Sequence, residues 1–312
     1  MKEKSERKKS SMSKSLVKDN IEFLLLSLPT IILLLIFSYW PIYGLIIAFK
    51  KFNPMLGIGG SKWCGLDNFK FFFHSADFVR VTRNTVCYGI SFLVLGTAAA
   101  VILALLFYNL RNRIALKVYN TIVILPKFMS MVLIAYVVYA ILNPVSGVLN
   151  RALTVFGFDS IDWYSTPGAW PVILNIINLW STIGMNSILY YAALMGIDLA
   201  LFEAAAIDGA NKWQSTIHIA IPHLWSIISI TSILAIGHLF SGDFGLFYQT
   251  TRDVGLLYPT TDIITTYVFR CLQGGEMSAG TAVGLFQSVM GLICILVTNG
   301  IVRKVSPENS LF

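Results

Sequence analysis

Apolar and polar positions along this chain fall into long blocks, not into the short alternation of strands. Six largely apolar runs, at about 22–48, 85–108, 118–142, 169–194, 219–240 and 281–302, are separated by polar segments. About 20 apolar residues in helical conformation cross a hydrocarbon core roughly 30 Å thick. Each run therefore predicts a spanning helix, and the expected fold class is an all-α membrane protein with six transmembrane helices. Residues 1–20 read as a polar basic segment, 21–304 as the six-helix domain and 305–312 as a short tail.

Composition agrees with this pattern. The 312 residues are 56% hydrophobic and 12% charged, against about 25% charged in soluble domains. Seven Trp, thirteen Tyr and twenty-one Phe suit membrane interfaces. Lys2, Lys4, Arg7, Lys8, Lys9, Lys14 and Lys18 precede the first run, which is too long for a signal-peptide core. That arrangement predicts a retained first helix and a cytoplasmic N-terminus. Six spans return the C-terminus to the same side, where Arg303 and Lys304 follow the last run; Arg111, Arg113 and Lys117 also fall inside. Lys50, Lys51, Lys62, Lys70, Arg80 and Arg83 of the first outer loop run against the rule. The net charge of +7 thus reflects orientation in a membrane, and no nucleic-acid partner is expected.

Cysteine usage points to no metal. Cys87 and Cys294 lie in spans, Cys64 and Cys271 lie in outer loops and are open to pairing, and no ligand-like spacing occurs.

The inner loop 197–224, IDLALFEAAAIDGANKWQSTIHIAIPHL, divides into a short helix, a break and a second helix entering the membrane. Residues 201–207 are Ala-rich and helix-favouring. Gly209 is a natural terminator. Asn211 and Gln214 have capping-box spacing for a new start. Pro222, in the first turns of span five, removes a backbone donor and marks a bend. Ala204, Ala205 and Ala206 present a smooth face edged by Glu203 and Asp208, a plug suited to a partner's socket. Local physics leaves a second reading open, in which the alanines report helix propensity alone.

Glu203-Ala204-Ala205, then Asp208-Gly209-Ala210, then Ile221-Pro222 resemble the EAA motif of ATP-binding-cassette importer permeases; Ile221 replaces the usual Leu before the proline. PIYGLIIAFKKFNPMLGIGGSKWCGLDNF (41–69), TTYVFR (265–270) and the closing AVGLFQSVMGLICILVTNGIVRKVSPENSLF resemble the MalF-like carbohydrate-uptake permeases, nearest the LplB-like branch for poly- and oligosaccharides. The resemblance covers essentially everything after residue 20. It implies a type I importer fold in the bacterial cytoplasmic membrane, with both termini cytoplasmic. Glu203, Ala204, Ala205, Asp208 and Gly209 would form the ATPase-coupling helix. Implied partners are a second homologous permease, two cytoplasmic ATPases, an extracytoplasmic solute-binding protein, membrane lipid and an oligosaccharide substrate. The chain has no G-x-x-x-x-G-K-[ST] loop, so no cofactor is expected in it. ATP and Mg would belong to the partner ATPases.

Polar residues inside spans are costly in lipid and mark candidate sites. Span four offers Asn175, Asn178, Trp180, Ser181, Thr182, Asn186 and Tyr190; span five offers His238 and Ser241, with Asp243 just beyond. Trp180 lies 23 residues before Glu203, a separation that in the resembled family marks a cavity-lining helix. Counting from the motif, the family's sugar positions fall near Ser181, Thr182, Met185, His238, Leu239 and Gly242, as a location and not as preserved contacts. The candidate substrate-binding set is Lys127, Asn178, Trp180, Ser181, Met185, His238, Ser241 and Asp243. Each has a plainer reading: Asn and Ser bond neighbouring helices, Trp sits at interfaces, and His238 is a packing residue. Gly280 and Gly284 form a G-x-x-x-G pair suited to close helix packing.

Lys127, in LPKFM, is the anomaly. At 1.5 Å per residue it is about 14 Å into span three, and no other predicted span holds an acid apart from Glu22 at the edge of the first. In the resembled family the residue after LP is a sugar-contacting aromatic. Three readings stand: Lys127 binds an anionic sugar group, pairs with the companion permease, or lines a water-filled cavity. The first makes the cargo acidic; the alternative is a neutral oligosaccharide. A glycan-processing membrane enzyme would need paired carboxylates or a metal cluster, and Asp243, Asp253 and Asp262 are scattered with no H-E-x-x-H. A secondary carrier would show repeats and midplane acids, and neither is visible.

Overall fold

The computed structural model describes residues 20–110 and 112–305. Residues 1–19, which hold the basic N-terminal cluster, Arg111 and residues 306–312 lie outside the described set. The chain forms two compact units, Met1–Asn68 and Phe69–Phe312.

In the first unit a helix, α1 (Asn20–Phe49), is long and apolar enough to cross a membrane. Its helical geometry changes at Pro41. Residues 35–39 form a π turn in which the Trp40 N–H reaches back five residues to the Leu35 carbonyl. A proline supplies no N–H and crowds the carbonyl four residues back; widening the preceding turn relieves that conflict. Strands β1 (Lys50–Lys51) and β2 (Lys62–Trp63) follow as an antiparallel pair, Lys50 opposite Trp63. The Asn68 amide donates to the Ala48 and Lys50 carbonyls at 2.7 and 3.1 Å. Lys50 Nζ donates to the Ile58 carbonyl at 2.6 Å, so one loop cation that defies the charge rule is spent on folding its own loop. Helix α2 (Asp67–His74) leads onward.

The second unit is built on long helices. These are α3 (Ala76–Asn109), α7 (Trp170–Leu194), α9 (Lys212–Gly237) and α12 (Met277–Val305). Between them lie α4 (Arg113–Ile124), α5 (Met131–Leu142), α6 (Val148–Val155), α8 (Leu199–Ile207), α10 (Phe244–Thr251) and α11 (Ile264–Gln273). Among the described residues five helices are long and apolar enough to be uninterrupted spans, and α4 with α5, counted as one, makes a sixth that is broken. Apolar cores sit at both ends. Ala100, Ala104, Tyr190, Leu194, Ala220 and Leu224 pack together next to α8. At the opposite end Tyr88, Trp170, Leu174, Leu246 and Phe247 form one core, and Phe72, Val81, Phe240, Ile264 and Val283 another.

Span three departs from the continuous helix 118–142 expected from its hydrophobic run. Residues 125–128 wind into a 3-10 turn with Pro126 in its first positions, Met129 is extended, and Ser130 restarts the helix by accepting from the Leu133 N–H at 3.2 Å. The two halves are bent by 100°. Gly184 of α7 explains why the bend is tolerated: a Cβ there would meet the Val123 carbonyl oxygen at 2.2 Å. Only a glycine lets α7 seat against the backbone just before the break.

At Pro222 the sequence expectation and the structure agree on an irregularity and differ on its form. Residues 216–220 of α9 form a π turn closed by the Ile221 N–H on the Thr216 carbonyl, the same device as at Pro41. Of the glycine pair, Gly280 packs closely, its missing Cβ being 3.1 Å from Leu272 Cδ2, whereas Gly284 faces open space. All four cysteines are free thiols, so Cys64 and Cys271 are unpaired.

Candidate functional site

Between the two ends of the second unit lies a cavity of about 460 Å³. Its wall on α7 is a stripe, Asn178, Thr182, Asn186 and Tyr190, at the four-residue spacing that keeps side chains on one helix face. The Tyr190 hydroxyl is hydrogen-bonded to Thr231 of α9 at 2.9 Å. From α3 come Thr85, Tyr88, Gly89 and Phe92. The turn after α9 contributes His238, Ser241, Gly242 and Asp243, and the break of span three contributes Lys127.

Several of these residues are held by backbone chemistry. Gly242 has φ +55, where a Cβ would be strained and would also strike Ile263. Thr265 Oγ1 donates to the Ser241 carbonyl. Asp243 caps α10, its Oδ1 accepting from the Leu246 N–H at 2.9 Å, which places its negative charge at the positive end of a helix. Gly89 lets α3 approach Leu239, whose carbonyl would be 3.1 Å from a Cβ there. Tyr88 donates to the Thr260 carbonyl at 2.9 Å and meets Phe247 edge to face at 4.7 Å.

Lys127 is exposed at this wall, and among the described residues no carboxylate lies within ion-pair distance of it. The cavity therefore carries a free cation, while its carboxylate Asp243 is occupied as a cap.

Five of the eight residues singled out from sequence, Lys127, Asn178, His238, Ser241 and Asp243, meet on this cavity. Trp180, Ser181 and Met185 lie off this cavity. Trp180 and Met185 are 42% and 56% exposed on other faces of α7. Ser181 is buried and donates to the Asn178 carbonyl at 3.0 Å. The α3 wall, with the aromatic rings of Tyr88 and Phe92, was missed. Its signal was the spacing of Thr85, Gly89, Phe92 and Gly96 along one face.

A second feature stands at the other end. Helix α8 begins at Asp198, whose Oδ1 accepts from the Ala200 N–H at 3.0 Å. It ends at Gly209, φ +81, with Gly209 N–H on the Ala206 carbonyl and Ala210 N–H on the Ala205 carbonyl at 3.1 and 2.9 Å. That pair of bonds is a Schellman closure, which needs a left-handed residue at its hinge. The next helix opens with the reciprocal Asn211–Gln214 capping box. Phe202 packs on Tyr108 with ring centroids 5.9 Å apart, clamping α8 to α3. Glu203, Ala204, Asp208 and Gly209 are exposed, Ala205 is half-buried, and Ile207 is 87% exposed.

Opposite α8, a buried carboxylate organises the loops. Asp262 accepts from Arg80 at 2.9 Å and Arg270 at 2.6 Å on one oxygen and from Thr266 at 2.8 Å on the other. Arg80 also pairs with Asp77 at 2.8 Å, and Arg83 donates to the Pro259 carbonyl at 3.0 Å. Burial alone would lower the Arg270 pKa; the hydrogen bond and charge of Asp262 outweigh it and raise it instead. Arg80 and Arg83, two more cations that defy the charge rule, thus tie α3 to the loops around α11. Among the described residues no three metal-ligating side chains come together.

A broken apolar span, a polar cavity among long helices and an exposed helix closed by a Schellman turn make up a polytopic membrane component. The chain belongs to the binding-protein-dependent transport system inner membrane component family, which matches residues 93–310. It is an importer permease subunit with no ATPase site of its own. Protein LplB of Bacillus subtilis (strain 168) is 33% identical over 285 residues, covering 91% of this chain and 89% of that protein. The polygalacturonan/rhamnogalacturonan transport system permease protein YteP of the same organism is 32% identical over 289 residues, covering 91% and 88%. A chain of a bacterial ABC transporter involved in import of the acidic polysaccharide alginate superposes with a TM-score of 0.85 at 33% identity, over 95% of this chain and 99% of that one. A chain of such a transporter in complex with an alginate pentasaccharide-bound periplasmic protein gives 0.84, also at 33% identity, over 94% and 97%. The type I permease fold follows.

Proposed function

We infer that this chain is one of two permease subunits of an ATP-driven importer for acidic oligosaccharides, with both termini in the cytoplasm. The observation that carries the reading is Lys127, an uncompensated cation delivered to the cavity wall by the broken span. A neutral sugar has no use for such a charge; a uronate carboxylate does. The named relatives that handle alginate and polygalacturonan support the same chemistry.

In this reading α8 docks in a cleft of a partner ATPase, which binds ATP and Mg. Glu203 and Asp208 set the charge at the edge of the contact and Ala204 and Ala205 permit close approach. The Schellman closure and the Phe202–Tyr108 clamp make α8 move as a body with α3. ATPase closure then swings the permease pair between inward- and outward-open states. An extracytoplasmic binding protein delivers the sugar to the far end.

The test is uptake by cells with and without this chain, its companion subunits present, offering galacturonate trisaccharide and maltotriose. Uptake of the uronate that needs this chain is expected. Equal uptake of maltotriose would overturn the acidic cargo, and uptake indifferent to the chain would overturn transport.

A further inference from the structure

On the flank of α10 turned away from the main cavity lies a second hollow of about 250 Å³, between α10 and α5. Asp243 and Phe247 of α10 face the first cavity, while Tyr248, Gln249 and Arg252 face this one, together with Tyr136 and Tyr139 of α5. One short helix therefore walls both.

The chemistry of the hollow is that of a sugar site. Two of its three rings are fixed by packing. Tyr248 stacks on Phe244 at 4.9 Å and meets Phe269 at 5.0 Å; Tyr139 meets Tyr164 edge to face at 5.7 Å. The Arg252 guanidinium lies over the Tyr139 ring, 4.2 Å from its centroid. Among the described residues Arg252 makes no ion pair, because the neighbouring Asp253 pairs with Arg270 at 3.6 Å. Arg252 is exposed and lines the hollow together with Gln249. Arg252 is also held at φ 56, and Asp253 at φ 50. The left-handed closing position of a helix belongs ordinarily to Gly or Asn; an arginine there is strained, and its guanidinium is what it offers in return.

We propose that Tyr136, Tyr139, Tyr248, Gln249 and Arg252 form a second saccharide subsite that binds one uronate unit, its carboxylate on Arg252 and its ring against tyrosine. The proposal rests on the acidic-cargo reading for its ligand class but on none of the residues that carry that reading. Two anion-binding positions on either side of α10 hand a chain of uronates from one to the other.

The experiment is calorimetric titration of the complete importer complex in nanodiscs, without binding protein, by digalacturonate and by neutral galactobiose. Arg252→Gly is the main variant, since glycine is favoured at this φ and the fold is kept; Arg252→Asn repeats it. Either is expected to lose one equivalent of bound digalacturonate relative to wild type. Tyr136→Ala, at a site 69% exposed, is expected to weaken that equivalent about tenfold. Lys127→Gln should remove a different equivalent. Full stoichiometry and affinity in both Arg252 variants overturns the subsite, even when Lys127→Gln loses its own. Loss in Arg252→Gly with Lys127→Gln silent supports the subsite and sinks the cavity reading. Galactobiose binding in the same hollow overturns the anionic class. Weakened capture of the binding protein with unchanged sugar binding makes the hollow a protein contact and also overturns the proposal.

Discussion

Lys127→Gln removes one positive charge from the cavity wall and keeps a side chain of similar reach and hydrogen-bonding capacity. No carboxylate of the described chain is within ion-pair distance of Lys127, so the change strands no buried acid. Its effect falls on the cargo. An exposed ion pair is worth about 0.2–1 kcal/mol, and a charge-assisted hydrogen bond shielded from water about 1.5–3 kcal/mol. A sugar filling a cavity of about 460 Å³ expels part of its water but not all, which sets the expectation near 1–2 kcal/mol, or about 5- to 30-fold. The assay is ATP-coupled uptake into proteoliposomes carrying the complete importer, measured as kcat/KM for galacturonate trisaccharide and a neutral galactose trisaccharide. Lys127→Gln should lower the first by that factor and leave the second within about twofold. Lys127→Arg should retain most of the uronate activity. Equal losses for both sugars would refute charge recognition and return Lys127 to a structural role at the break.

Gly184→Ala drives a Cβ to 2.2 Å from the Val123 oxygen; the expected cost is about 1–3 kcal/mol, read as a lower Tm of the purified complex. Gly209→Asp puts a side chain at φ +81 and opens the Schellman closure, so membrane insertion is kept while ATPase co-purification and uptake are lost; normal uptake would remove the docking role. Asp262→Ala removes the buried acid that Arg80 and Arg270, 30% and 21% exposed, share, and leaves each with one part-exposed partner, Asp77 and Asp253. Because both cations retain some water, the loss should lie toward the low end of about 3–5 kcal/mol, measured by thermal inactivation, with Asp262→Asn milder.

What was legible in the sequence was what is decided locally. The spans follow from hydrophobic run length, and the Asn211–Gln214 box and the Gly209 closure follow from residues within one turn. Span three was read as one continuous helix although Pro126 and Lys127 stand in it, and its 100° bend was not foreseen, since a proline in a membrane helix commonly gives only a kink. The close packing beside the bend involves Gly184, which is 58 residues away from Pro126 in sequence and adjacent to Val123 in space. That Trp180 lies off this cavity was not legible, because a resemblance gives a position along a helix and not its rotation. Two residues turn a helix by about 200°, so Trp180 and Asn178 face opposite ways. The α3 wall went unread because threonine, glycine and aromatic residues in an apolar run look the same whether they line a cavity or pack a core.

The proline and the lysine of LPKFM then have a single explanation. A charged side chain deep in lipid is expensive, and so is a turn whose backbone groups leave the helical ladder. Either alone would count against a membrane helix. At the edge of a polar cavity both costs fall together, because the same water and polar side chains that solvate the ammonium also reach the freed carbonyls. Gly184 lets α7 lie on the backbone at Val123, the chain bends beyond Pro126, and Lys127 shares the cavity wall with Asn178 and Thr182. On the acidic-cargo reading, charge selectivity is a property of the break: a lysine on an unbroken span three would have to face lipid or a partner helix, and the cavity would lose its cation.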